Sequence, residues 1–248
     1  MRIHPLAAAL LLACAGAPAA AAQLLRPGDA QVTAVLAEGA EGYDIHLGSE
    51  DDAPMGQMML RTRLATVDGT PALVRTEETW MDALLVQVDS FILHRGTLAP
   101  LRLVRSTDRE AVSMEFVGGG VRTVYHDRSG ADTAETVPIA EPVFLGGTTD
   151  LLLGALPLAA GYTARLALYD PDEGLGTMDV EVEAAEDLVL DPGGRAVPTW
   201  RVRVTHAGAP ATYWMDRESR TLVQFRSAET DILIVRTREG RGRARPTR

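Results

Sequence analysis

The side chains that could do chemistry are few and scattered. Past the first 22 residues the histidines are His46, His94, His126 and His206. None sits in a His-Glu-x-x-His pattern and none neighbours a cysteine, so no zinc-ligand spacing is present. Asp44 and His46 are two residues apart and would share one face of a strand, a spacing open to a metal or an acid–base pair but more simply a solvated polar pair. His206, beside Ala-Gly, reads as a turn residue. His126-Asp127 lacks metal-ligand spacing, and Glu50-Asp51-Asp52 and Asp170-Pro-Asp172-Glu173 read as acidic turns that lack the spacing of a calcium loop. No Gly-x-Ser-x-Gly elbow occurs, and in a chain without lysine there is no Ser-x-x-Lys. Val117-Gly-Gly-Gly-Val121 and Leu145-Gly146-Gly147 have no phosphate-binding lysine or dinucleotide fingerprint and read as turns. No cofactor and no metal are expected, and the reading is non-catalytic. One enzymatic route stays open, because triads assemble from distant strands: a hydrolase of unfamiliar type in which His46, His94 or His126 meets a carboxylate and a hydroxyl.

Composition narrows the partners. The chain has 248 residues and a formal charge of −10, which becomes −11 if a leader carrying Arg2 is removed. A surface this acidic argues against nucleic acid. Arg2, the apolar run Leu6 to Ala13 and the small residues Ala20-Ala21-Ala22 have the form of a secretory signal over residues 1–22. A competing cut at Leu11-Leu12-Ala13-Cys14 has the form of a lipoprotein site, which would make Cys14 a lipidated first residue. Cys14 is the only cysteine, so the exported part holds no disulfide and must be stabilised by its core. From Arg236 to the end, six Arg face Glu239 alone, and residues 239–248 read as a disordered basic tail able to touch an anionic envelope surface.

The elements that would have to carry a site are strands. From Tyr43 onward, short stretches alternate apolar and polar residues and are punctuated by Gly, Pro and Asp turns, which is an antiparallel all-β pattern. Met178, Val180 and Val182 alternate with acids, and Trp200, Val202 and Val204 alternate with Arg and Thr. Asp68-Gly69 is a hairpin turn that tolerates positive φ; Asp191-Pro-Gly-Gly194 and Asp216-Arg-Glu-Ser219 are further turns. About thirteen such strands cannot lie in one flat sheet, so a strongly curved sheet, sandwich or barrel follows. The polar stretch Ser129 to Pro142 could divide two sub-sheets. The organisation read from this is a lead segment over residues 23–42 and one β domain over 43–238.

One segment, Thr149-Asp-Leu-Leu-Leu-Gly-Ala-Leu-Pro-Leu-Ala-Ala-Gly-Tyr162, reads as a helix with Thr149 as N-cap and Pro157 as its stop. Fourteen uncharged residues lie between Asp150 and Arg165, too few to span a bilayer.

This segment, with Asp89-Ser-Phe91, Leu98-Ala-Pro100, Trp200-Arg-Val202 and the passage from Tyr213-Trp-Met-Asp216 to Arg220-Thr-Leu222-Val223, resembles an uncharacterised family of exported bacterial domains that is similar to lipoprotein-sorting proteins of the LolA and LolB type. The resemblance implies a curved antiparallel half-barrel with an apolar concave interior covered by short helices or loops. In the better-known relatives that interior receives acyl chains. Carried over, Leu152, Leu153, Leu156 and Leu158 would form the lid or plug, and Tyr162, Trp200 and Trp214 would join them as ligand-binding residues. The expected protein is then a monomeric, secreted or periplasmic carrier or sensor for a lipid or acyl chain, in peripheral contact with the envelope membrane. The alternative is an envelope interaction or structural module with a solid core.

Overall fold

The computed structural model describes residues 22–32, 37–126, 131–190 and 194–237. The signal segment up to residue 21, Cys14, the turn residues Asp191 to Gly193, Asp127 and the basic tail lie outside the described residues. The elements in chain order are β1 (Leu24–Leu25), β2 (Gly39–Leu47), β3 (Gly56–Val67), β4 (Thr70–Met81), β5 (Leu84–His94), β6 (Pro100–Thr107), β7 (Ala111–Val117), β8 (Gly120–His126), β9 (Thr133–Pro138) and β10 (Phe144–Leu145). Then come α1 (Thr149–Ala155), β11 (Thr163–Asp170), β12 (Gly174–Leu188), β13 (Val197–His206), β14 (Ala209–Asp216), β15 (Leu222–Ser227) and β16 (Ile232–Arg236).

All the strands belong to a single sheet that curves without closing. It consists of two antiparallel meanders, β2 to β9 and β11 to β16, joined where β16 pairs with β2. The last strand thereby stitches both halves at the centre of the sheet. The hairpin chemistry is that read from the sequence: Asp68 and Gly69 both have positive φ, as the tight β3–β4 turn requires. Asp216 accepts the backbone N–H groups of Glu218 and Ser219 at 2.9 and 3.0 Å and so fixes the β14–β15 turn. β9 lies inside the polar stretch that ends at Pro142. It pairs with β8 alone, as an edge strand, and its residues are mostly exposed.

Curvature brings the two ends of the sheet together. Phe116 of β7 meets Tyr169 of β11 edge-on, with ring centroids 5.7 Å apart, and Arg105 of β6 reaches Asp172 beyond β11 at 3.6 Å. The connection between the meanders, containing β10 and α1, runs through the enclosed space. Phe144, Leu145, Leu151, Leu152, Leu153 and Leu156 are all buried in the one continuous core. A helix of seven residues is too short to be stable by itself, and burial of its leucines, at about 2 kcal/mol each, is what holds it. Its N-cap is Thr148, not Thr149, and the Thr148 hydroxyl donates to Leu145 O at 2.7 Å instead of capping the helix. Leu156 is extended, as the residue before Pro157 must be. Among the described residues no helix is long and apolar enough to cross a membrane.

Candidate functional site

Residues directly paired across neighbouring strands point to the same face, so the register shows what lines the concave side. One row runs Val202, Tyr213, Phe225, Ile234, Ile45, Gly56, Met81, Leu84 across β13, β14, β15, β16, β2, β3, β4 and β5. Gly56 interrupts it, and Ile45 and Met81 fold over the gap: a Cβ on Gly56 would lie 2.5 Å from the Met81 sulfur and 3.6 Å from Ile45. Burial varies along the row: Val202 at 0% exposed and Ile45 at 8% are buried, Tyr213, Phe225, Ile234 and Met81 are half-buried, and Leu84 at the far end is 71% exposed. Phe225 and Ile234 are only partly buried against the core, and Tyr213 packs on Phe225 with ring centroids 4.9 Å apart. The row is an apolar shelf at one end of the sheet, and the Leu47 side chain, 59% exposed, extends it.

The end of the sheet that carries this shelf is acidic. Its turns hold Glu50-Asp51-Asp52, Asp82, Asp108 with Glu110, Asp172-Glu173, and Glu229 with Asp231, while Arg109 is the one base among their described residues. These ten of the 34 acidic residues make the shelf end, the mouth of the half-barrel, strongly negative.

Further in, the concave face changes character. The row Glu41, Leu60, Glu77, Asp89, Arg105 crosses β2 to β6, and beside it Thr62 pairs with Arg75. Four residues of strand, or about 13 Å, separate Glu77 from Met81 on the shelf. Arg75 is bonded to Asp150 of α1 and donates to the Thr62 hydroxyl at 2.9 Å; the side chains of Arg75 and Asp150 are 7% and 17% exposed. Asp89, buried, accepts Arg105 Nε at 3.1 Å and Gln87 Nε2 at 2.8 Å. Each arginine of this cluster therefore has its carboxylate. Glu77 lies among them with no hydrogen bond or ion pair among the described residues, although it is flanked by both pairs. Burial, with Asp150 and then Asp89 adding to it, pushes the Glu77 carboxyl up to about 7 against the opposing pull of Arg75 and Arg105. Burial likewise raises Tyr213, and the negative charges of Asp150 and Glu77 add to it.

The histidines are placed elsewhere. His46 is bonded through Nδ1 to Asp52 O at 3.0 Å, while the Asp44 carboxylate accepts Gln57 at 3.2 Å, so the two share no ligand. His94 Nδ1 accepts the Gly96 N–H at 3.2 Å in a turn. His206 lies 3.9 Å from Glu173 in an open polar cleft of about 360 Å³ between two hairpin turns. His126 does meet both a carboxylate and a hydroxyl: Nδ1 is 3.0 Å from Asp132 and Nε2 is 3.3 Å from Ser113 Oγ. The order hydroxyl, imidazole, carboxylate is that of a triad. However, Ser113 alternates with the core residues Val112 and Met114 and so points to the outer face. Its strand is bonded on both sides by β6 and β8, which commits the amides an oxyanion would need. Among the described residues no group of His, Cys, Asp and Glu could hold a metal ion.

The residues singled out from the sequence are dispersed. Leu152, Leu153 and Leu156 are sealed in the core at 1%, 0% and 1% exposure. Leu158 and Tyr162 are partly buried at the end away from the shelf, where the Tyr162 hydroxyl donates to Gln31 at 3.3 Å. Trp200 faces inward, under the Arg217 guanidinium, 4.8 Å from its ring centre. Trp214 faces outward: it pairs with Arg201 and donates Nε1–H to Glu186 at 3.1 Å, and the inward place belongs to its neighbour Tyr213. A tryptophan in a strand says nothing by itself about which face it takes. The signal that was available for the ionic cluster was parity, since Arg75 and Glu77 stand two and four residues after the core residue Leu73.

The family described as Protein of unknown function (DUF3108) matches residues 43–232. The chain belongs to that family. No curated protein and no solved structure matches it. The matched region holds Ile45, Met81, Leu84, Val202, Tyr213 and Phe225 of the shelf together with Arg75, Glu77, Asp89 and Asp150, and Ile234 lies two residues beyond it.

Proposed function

We propose that this DUF3108 protein is a non-catalytic carrier or sensor of the bacterial envelope that takes a lipid-like apolar chain on the concave shelf of its half-barrel. The observation that carries this reading is the row in which Tyr213, Phe225 and Ile234 pack on the core yet stay partly uncovered, meet the buried Ile45, and run on to Met81 and the exposed Leu84. Exposed contiguous apolar surface of this kind is uncommon on a monomer without a binding role. In this reading α1 is the fixed floor of the site and its leucines are core. A chain of about ten methylenes would gain at most roughly 8 kcal/mol if fully covered, less on an open shelf, and the cost of association reduces this to weak, exchangeable binding. That suits a carrier. Export through the N-terminal segment and the resemblance to lipoprotein-sorting proteins are consistent with such a role.

The test is native mass spectrometry of protein purified without detergent and then incubated with lysophospholipid and fatty acid. Adducts of one lipid per chain are expected; a bare polypeptide mass under all conditions would contradict the reading. The close packing of Leu152, Leu153 and Leu156 favours a second reading, an envelope interaction module with a solid core, and the bare mass is what that reading predicts.

A further inference from the structure

The cluster beneath the shelf has an uneven charge pattern. Arg75 is engaged by Asp150 and Thr62, Arg105 by Asp89, and Glu77 is the carboxyl left over. The groups that face it are Arg75 on its own strand, Asp89 on β5, Arg105 on β6, Asp150 on α1 and Tyr213 on β14; its neighbour on β3 is Leu60. An incoming carboxylate or phosphate would find both guanidinium groups occupied and would meet an uncompensated acid. An incoming cation would find a partly exposed carboxyl without a partner. The acidic turns around the mouth act in the same sense, since they raise the local concentration of cations and repel anions before any contact is made.

We propose that Glu77 is the head-group site of the shelf and that the ligand is a cationic amphiphile, with a primary ammonium on Glu77 and its alkyl chain along Tyr213, Phe225, Ile234 and Ile45. This rests on the chain-binding reading above and adds the chemistry of the head. Ammonium binding requires ionised Glu77, so binding takes a proton off the protein when it occurs below the titration of that carboxyl.

The experiment is calorimetric titration of the full chain with dodecylamine, dodecanol and dodecanoate, each below its micelle concentration or solubility limit, at pH 8, with the amine repeated at pH 5.5 and with Glu77→Gln. The amine keeps its charge at both pH values, so any loss at pH 5.5 reports on the protein. The amine is expected to bind about tenfold tighter than dodecanoate at pH 8, the equivalent of one charge-assisted hydrogen bond. It should weaken several-fold at pH 5.5 and lose most of its advantage in Glu77→Gln. Equal or tighter binding of dodecanoate, or an amine preference that survives Glu77→Gln, overturns the inference and leaves the chain-binding reading standing. Binding of none of the three overturns both. If Glu77→Gln fails to fold, the probe comparison and the pH arm on the natural chain decide the matter.

Discussion

Replacing Arg75 by alanine removes the cation that ties α1 to the first meander. The pair with Asp150 is mostly shielded from water, and Arg75 also holds the Thr62 hydroxyl. Removing one partner of a buried pair leaves the other charge unpaired, which costs about 3–5 kcal/mol. Asp150 retains 17% exposure and can recruit some water, which places the expected loss near the lower end, about 3 kcal/mol. For a chain of this size that is roughly 6–12 °C in midpoint temperature. The assay is urea unfolding followed by tryptophan fluorescence, with thermal melts as a second readout. A companion variant, Arg75→Met with Asp150→Leu, keeps the volume and removes both charges, so it should lie within about 2 kcal/mol of the natural chain. An Arg75→Ala loss below about 1 kcal/mol, or a double variant as damaged as the sum of its singles, would refute the view that this pair is the polar anchor of the helix.

Three further outcomes are expected. Glu77 has a folded pKa of about 7 against a reference value of 4.5. The native state therefore binds more protons than the unfolded state between these values, so stability falls by about 3 kcal/mol as pH rises from 4.5 through 7 and then levels off. Glu77→Gln should flatten that slope in melts from pH 5 to pH 8 and be the more stable protein at pH 8; an unchanged slope would assign it to other groups. Gly154→Val should destabilise by about 1–3 kcal/mol in urea titrations, because any Cβ there would lie 2.6 Å from the Arg220 carbonyl oxygen, in a turn whose φ of 59 leaves it little freedom. Ser113, with a histidine and an aspartate in line but on a strand whose amides are paired on both sides, should not be labelled by a fluorophosphonate; labelling abolished by His126→Ala would mark it as a nucleophile after all.

Much of the fold was legible because strand alternation and turn chemistry are local. The strand from Met178 to Val182, the Asp68-Gly69 hairpin and the proline stop after Leu156 each follow from a few adjacent residues. β9 escaped because an edge strand with one partner needs no apolar face, and β1 and β10, two residues each, carry no period. The site was less legible than the fold. In β4 both faces carry apolar residues, Ala72 and Val74 on one and Leu73 on the other, so the parity of Arg75 and Glu77 with Leu73 did not by itself decide whether they point in. Only the partners Asp150, Asp89 and Arg105, distant along the chain, show that they do. Tyr213 and Trp214 make the same point, since adjacent aromatics take opposite faces and register alone chooses between them.

Intermolecular NOEs on methyl-labelled protein test the central claim most directly. With a bound alkyl-chain probe, cross-peaks are predicted to the methyl groups of Ile45, Ile234 and Met81, with the resonances of Leu152 and Leu153 unperturbed. Contacts to Leu152 and Leu153 would mean that α1 leaves the core to admit the chain, and no cross-peaks at saturating probe would mean that the shelf is not a binding site.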